Sequence, residues 1–201
     1  MPIPDGSVDL IIAATAAHWF DMSIFWPRAA QVLKPGGSVA LWTSSSVRVH
    51  PSTPNSAAIQ GVLDKLDERV KDYMVSGNWL TRNFYVGLPL PWTLATPVMD
   101  FDEATFFRME WNTGSTSESA DQFFANQEPA DLDTVEMVLG TSSPVTRWRE
   151  AHPDAVGTER DVVRMTRMEI ERLLHEAGVE KGKEIVKAGV AGVLLIVKKK
   201  A

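Results

Sequence analysis

Cysteine is absent from the 201 residues, which excludes disulfides, thiolate metal ligands and a cysteine nucleophile. Histidine is scarce: the four stand at positions 18, 50, 152 and 175 without metal-ligand spacing, so no metal is expected. Long apolar runs are missing too. None approaches the roughly 20 residues of a membrane span, and Met1-Pro2-Ile3-Pro4 has neither the charge nor the apolar core of a signal peptide. Positive charge is not in excess, since the formal net charge is −6. The run Lys198-Lys199-Lys200 reads as the solvated end of a strand rather than a nucleic-acid patch. These absences lead to the expectation of a cytoplasmic protein with no membrane and no nucleic-acid partner.

What is present begins with a buried-strand signal. Val8, Leu10, Ile11 and Ile12 form an apolar run without alternation after the turn residues Pro4-Asp5-Gly6-Ser7, as expected of a strand covered on both faces in a parallel sheet. Ala13 to Ala17 are small and leave room for a ligand at the carboxyl end of that strand, where open α/β sheets bind one. Phe25, Ala29 and Val32 recur at helical spacing within Ser23 to Val32. Lys34-Pro35-Gly36-Gly37 then ends the helix, glycine supplying left-handed backbone and proline blocking continuation. Ser38 to Trp42 is a second apolar strand, and the three elements make one βαβ unit.

With 44% hydrophobic residues the chain can build a substantial core, most simply as one domain. Thr53-Pro54 reads as a helix start, with Ile59, Val62, Leu63, Leu66 and Val70 on one face. A proline-rich stretch from Gly87 to Pro97 is irregular, and Thr105 to Trp111 alternates as a strand through Phe107, Met109 and Trp111. Short helices are expected at Ser117 to Gln127, Asp131 to Leu139 and Pro144 to Ala151. Thr158-Glu159-Arg160-Asp161 resembles a capping box opening a helix whose Val162, Met165, Ile170, Leu173, Leu174 and Ala177 face inward until Gly178. Val190 to Val197 is a final strand rich in Val, Leu and Ile.

The segment Pro2 to Ile12 resembles the approach to the fourth strand of class I S-adenosylmethionine-dependent methyltransferases of the type 11 domain. Leu33-Lys34-Pro35-Gly36-Gly37 resembles the turn before their fifth strand. Ala14-Thr15-Ala16-Ala17-His18-Trp19-Phe20-Asp21 and, further on, Leu139 to Trp148 are similar to the trans-aconitate methyltransferase-like branch. The resemblance implies an α/β fold, a partial Rossmann-like class I methyltransferase sheet from the fourth strand onward. Thr105 to Trp111 and Val190 to Val197 would supply its antiparallel terminal strand pair, and helical insertions its cap. The chain then divides, within one partial domain, into a core βαβ at 1–46, a helix and edge strand at 53–112, a helical cap at 113–178 and the final strand at 185–200.

The resemblance also implies the cofactor S-adenosylmethionine and a small-molecule acceptor, with O-methyl transfer to a carboxylate in complete relatives. There, a glycine-rich turn, an acidic residue for the ribose and an adenine loop precede the position of Met1, so a truncated chain with impaired cofactor binding is expected. Ala14, Thr15 and Ala16 would lie against the cofactor's methionine moiety; equally, their small size suits close helix packing. His18 is the candidate catalytic residue, orienting an acceptor oxygen, or else a histidine packed under the cap. Trp19, Arg82, Arg147 and Arg149 are candidates for the acceptor pocket, the arginines through forked hydrogen bonds to a carboxylate. Their ordinary readings are core packing for the tryptophan and surface charge for the arginines. The alternative function is a non-catalytic remnant or protein-interaction module, without methyl transfer, that binds another protein or its own copies through an exposed sheet edge. A nicotinamide-binding Rossmann enzyme shares the βαβ logic without a Tyr-Lys or Cys signal here.

Overall fold

The computed structural model describes residues 3–113 and 129–201, and the helix expected at Ser117 to Gln127 lies outside them. The chain forms two compact units, one of Met1–Ser46, Ser76–Trp111 and Ala191–Ala201, the other of Val47–Val75 and Asn112–Val190. Among the described residues no helix is long and apolar enough to cross a membrane.

The first unit is built on the βαβ start. Strand β1 (Val8–Ala14) leads through a 3-10 turn (Ala17–Trp19) into helix α1 (Met22–Val32), and β2 (Leu33–Val49) returns parallel to β1. The register runs from Leu10 opposite Ser38 to Ala14 opposite Trp42. The expected Lys34-Gly37 turn lies inside β2 rather than before it. Val8 pairs with Leu33 and Leu10 with Ser38, so Lys34 to Gly37 bulge out opposite Asp9. Gly36 there has φ +75°, and a Cβ on Gly37 would stand 3.0 Å from Leu33 and from the Lys34 carbonyl. Glycine is therefore required twice for the chain to leave α1 and rejoin the sheet.

The four-stranded sheet has the order β1-β2-β6-β3, where β3 is Phe101–Trp111 and β6 is Ala188–Lys199. β3 and β6 pair antiparallel. Gly36 N–H donates to the Lys200 carbonyl and His50 N–H to the Lys187 carbonyl, so β6 also runs antiparallel to β2. Among the described residues β1 has no strand on its outer side. This corrects the expectation of a strand buried on both faces: Leu10 is 49% and Ile12 61% exposed, while Ala13 is buried. On β3 the apolar row Phe107 and Met109 is exposed, and Phe101 and Phe106 pack inward instead. The core centres on Trp26, fully buried, with its indole N–H donating to the Pro89 carbonyl at 2.9 Å and its ring meeting Phe101 edge-on. Helix α3 (Ser76–Arg82) lies against the 3-10 turn Ala17–Trp19.

The second unit holds α2 (Ser56–Arg69), the short strands β4 (Ala130–Asp131) and β5 (Ile185–Val186), α4 (Leu132–Gly140), α5 (Ser143–Ala151) and α6 (Val162–Glu176). Three expectations are corrected. α2 starts after Asn55, in left-handed backbone, because the Thr53 hydroxyl donates to the Lys187 carbonyl at 2.9 Å instead of capping. α6 is capped by Asp161, whose carboxylate accepts from the Val163 N–H at 2.9 Å; Thr158 belongs to the preceding turn. Ala177 is exposed just before Gly178 (φ +87°), and Val163 and Thr166 take buried places on α6.

Candidate functional site

β1 ends at a strained residue. Thr15 has φ +48° while its N–H donates to the Trp42 carbonyl at 2.8 Å, which ties the bend to the neighbouring strand. A β-branched residue in left-handed backbone costs roughly 1–3 kcal/mol and persists where surrounding structure holds it. The bend turns the chain away from the sheet, leaving Ala14 and Thr15 exposed and Ala16 half-buried at the carboxyl end of β1. Asp21 is the one carboxylate between Thr15 and Asp21, and it caps α1 through the Ser23 N–H at 2.9 Å. Its hydrogen bonds to the Ser23 hydroxyl and backbone N–H hold its pKa low.

The 3-10 turn carries His18 to a partner that sequence reasoning missed. His18 Nδ1 lies 3.0 Å from the hydroxyl of Tyr85, 67 positions away and only 2% exposed. Tyr85 (φ 58°) and Phe84 (φ 51°) are both left-handed, a second strained point in the same unit. The Arg108 guanidinium braces it by donating to the Phe84 carbonyl at 2.8 Å, and the Tyr85 N–H donates to the Leu80 carbonyl at 2.9 Å. Buried Thr43 and the backbone at Ala17 and His18 surround the Tyr85 hydroxyl. Burial pushes the phenol pKa up and the imidazole pKa down, so both groups are neutral near pH 7. Trp19 stacks obliquely on His18 at 4.7 Å between ring centres. Gly77 of α3 permits this arrangement: a Cβ there would come within 3.1 Å of both rings.

The structure thus brings Ala14, Thr15, Ala16, His18 and Trp19 together at the end of β1, with Trp19 60% exposed. Arg82 closes α3, where its carbonyl accepts from the Ser45 hydroxyl at 3.4 Å. Arg147 and Arg149 belong to the second unit, on α5. Arg147 donates to the Tyr73 carbonyl at 2.6 Å. Arg149 forks onto Asp161 at 2.8 and 3.0 Å, so a carboxylate ligand there would have to displace a built-in one. The residues missed from sequence are Tyr85, Thr43 and Gly77. The available signal was scarcity, since Tyr85 is one of only two tyrosines.

Comparison with known proteins bears on this end of the chain. Residues 1–41 match the methyltransferase domain family. A protein of Dictyostelium discoideum named as a methyltransferase is 38% identical over 47 residues, 23% of this chain and 18% of that protein. One of Mycobacterium tuberculosis, strain H37Rv, named as an uncharacterized methyltransferase, is 40% identical over 50 residues, 24% of this chain and 21% of its own length. The matched stretch thus spans about a fifth of these relatives. A solved structure from Anaeromyxobacter dehalogenans, described as a type II methyltransferase, superposes with a TM-score of 0.55 at 24% identity, covering 98% of this chain and 66% of its own. The fold is that of a class I methyltransferase. Its sheet end, with the bend at Thr15, falls inside the matched residues 1–41.

Proposed function

We propose that this chain carries the acceptor side of an S-adenosylmethionine-dependent small-molecule methyltransferase of the trans-aconitate methyltransferase-like branch, acting on a carboxylate oxygen. The observation that carries the reading is the Thr15 bend beside the neutral His18-Tyr85 pair, inside the segment that matches the methyltransferase domain family. The residues fit the cofactor's sulfonium end: exposed Ala14 and Thr15 and half-buried Ala16 leave open space at the end of β1. They do not supply its ribose contact, because Asp21 is committed to capping α1. Bound cofactor would supply an electrophilic methyl, to which an acceptor oxygen's lone pair bonds as the carbon–sulfur pair leaves to sulfur. A carboxylate acceptor is already anionic near pH 7, so the chain's task is alignment and exclusion of water. Neutral His18 suits that task as a hydrogen-bond donor, and Trp19 as an apolar wall.

The open outer edge of β1 is where the cofactor's nucleoside half would find further sheet. Calorimetric titration with S-adenosylmethionine tests this on two proteins: the chain alone, and the chain preceded by the amino-terminal portion of the Mycobacterium tuberculosis relative. The expected result is no saturable binding by the first and micromolar binding by the second. Binding by neither overturns the cofactor assignment, and tight binding by the chain alone overturns its division of labour. A second reading, a non-catalytic module that associates with its own copies through the β1 edge, is favoured by the exposure of Leu10 and Ile12 beside unpaired backbone. Sedimentation would then show concentration-dependent dimers that Leu10→Lys abolishes.

A further inference from the structure

We propose that Tyr85 is a positioning residue: its hydroxyl donates to His18 Nδ1 and so fixes the histidine as the tautomer that carries its proton on Nε2. Each polar atom around a buried oxygen needs a partner. The Tyr85 hydroxyl has one proton to give and two lone pairs to fill. Among the described residues its one hydrogen-bond partner is Nδ1 of His18. A proton on Nδ1 would leave the buried phenolic hydrogen without an acceptor, so that hydrogen goes to the His18 nitrogen 3.0 Å away. An imidazole receiving a hydrogen bond at Nδ1 keeps its N–H at Nε2, which makes His18 a donor rather than a base.

The surroundings hold this pair in place. Tyr85 and Phe84 adopt left-handed backbone although neither residue type favours it, and Arg108 and Leu80 brace them. Such strain places the phenol at His18 at the expense of the loop's own stability. Gly77 and Trp19 flank the imidazole, so its ring cannot swing freely away from the hydroxyl. On the methyl-transfer reading, on which only the consequence rests, Nε2–H would hold an acceptor oxygen by its lone pair. The proton stays on the ring throughout.

Nitrogen-15 NMR of the imidazoles reads the tautomer directly in the unmodified chain, with His18→Gln identifying the resonance. The expected result above the His18 titration is an unprotonated, hydrogen-bonded Nδ1 and a protonated Nε2; a protonated Nδ1 overturns the proposal. Tyr85→Phe keeps the ring but removes the donor. It should move the Nδ1 resonance to that of a free nitrogen and raise the proton affinity of His18 roughly fivefold, since a hydrogen bond to the neutral form favours that form. An unchanged titration would mean that Tyr85 only packs. Should that variant fail to fold, incorporation of 3-fluorotyrosine acidifies the donor without changing the backbone. The His18 Nδ1 signal should then move while those of His50 and His175 stay, and no movement overturns the proposal. The tautomer needs neither cofactor nor acceptor, so a failed S-adenosylmethionine titration would count against the functional reading alone.

Discussion

Left-handed backbone separates the two units. Among the described residues, those in the second unit that have positive φ without being glycine are Asn55 and Asn112, a residue type that tolerates that conformation. In the first they are Thr15, Phe84 and Tyr85, which do not. Surface charges are paired in both units, as Arg28 with Asp5 and Lys34 with Asp9 in the first, and the difference lies around the strained residues. In the second unit the guanidinium of Arg149 closes on Asp161, and that of Arg167 on Glu136 and Asp133. In the first, the His18-Tyr85 pair carries no charge and Thr15 is exposed. A region whose turns suit their residues is built for stability. A region that holds unsuitable residues in strained positions around a neutral pair is built to present them.

Core truncation in each unit probes that contrast with the largest effect. Trp26→Ala should cost about 4 kcal/mol and Ile170→Ala about 3 kcal/mol, read by chemical denaturation. Coincident transitions in both variants would show one cooperative fold; a split transition would show that the units report separately. Next, Arg149→Met should cost roughly 2 kcal/mol by leaving buried Asp161 without its charge-assisted hydrogen bonds. Loss of the second unit's contrast would follow if that variant were as stable as the parent.

Relief of strain is the sharper comparison. Thr15→Gly should stabilise by about 1 kcal/mol, whereas Asn55→Gly should destabilise by about 1 kcal/mol because it removes the Asn55 hydrogen bond to the Leu173 carbonyl, both from thermal unfolding. Equal effects would remove the distinction between the units.

Acid gives the smallest effect, in two pH windows. The His18 pKa is lowered by burial, so the unfolded chain binds that proton more readily, and stability falls as pH drops through about 6.5. Burial works to raise the Asp161 pKa, but hydrogen bonds from Arg149 and the Val163 N–H, with the Arg149 charge, hold it below the usual carboxylate value. Its contribution is complete above about 4 and is lost as pH falls through the lowered value. His18→Gln should flatten the upper window alone and Asp161→Asn the lower one alone, in stability measured against pH.

The sequence made the βαβ start, α1, α4, α5, β3 and β6 legible because periodicity and Gly-Pro chemistry are local. Caps were misread where long-range bonds choose between neighbouring polar residues. Thr53 is taken by the Lys187 carbonyl, and Asp161, held by Arg149, caps α6 while the Thr158 hydroxyl turns to the Ala155 carbonyl. Burial of β1 was misread because a Val-Leu-Ile run says that a strand is apolar and nothing about which neighbours cover it. Within the candidate site, Ala14 to Trp19 could be read from the residues around a strand end. Tyr85 could not: its pairing with His18 spans 67 positions and depends on two left-handed residues that no local preference signals.

Amide chemical-shift mapping of S-adenosylmethionine on the amino-terminally extended, nitrogen-15-labelled chain decides whether the end of β1 meets the cofactor. The largest changes should fall on Ala14 to Trp19, at the carboxyl end of β1, and on Thr43 beside it on β2. Saturable binding whose shifts leave those residues untouched and gather on α4 to α6 would contradict that placement.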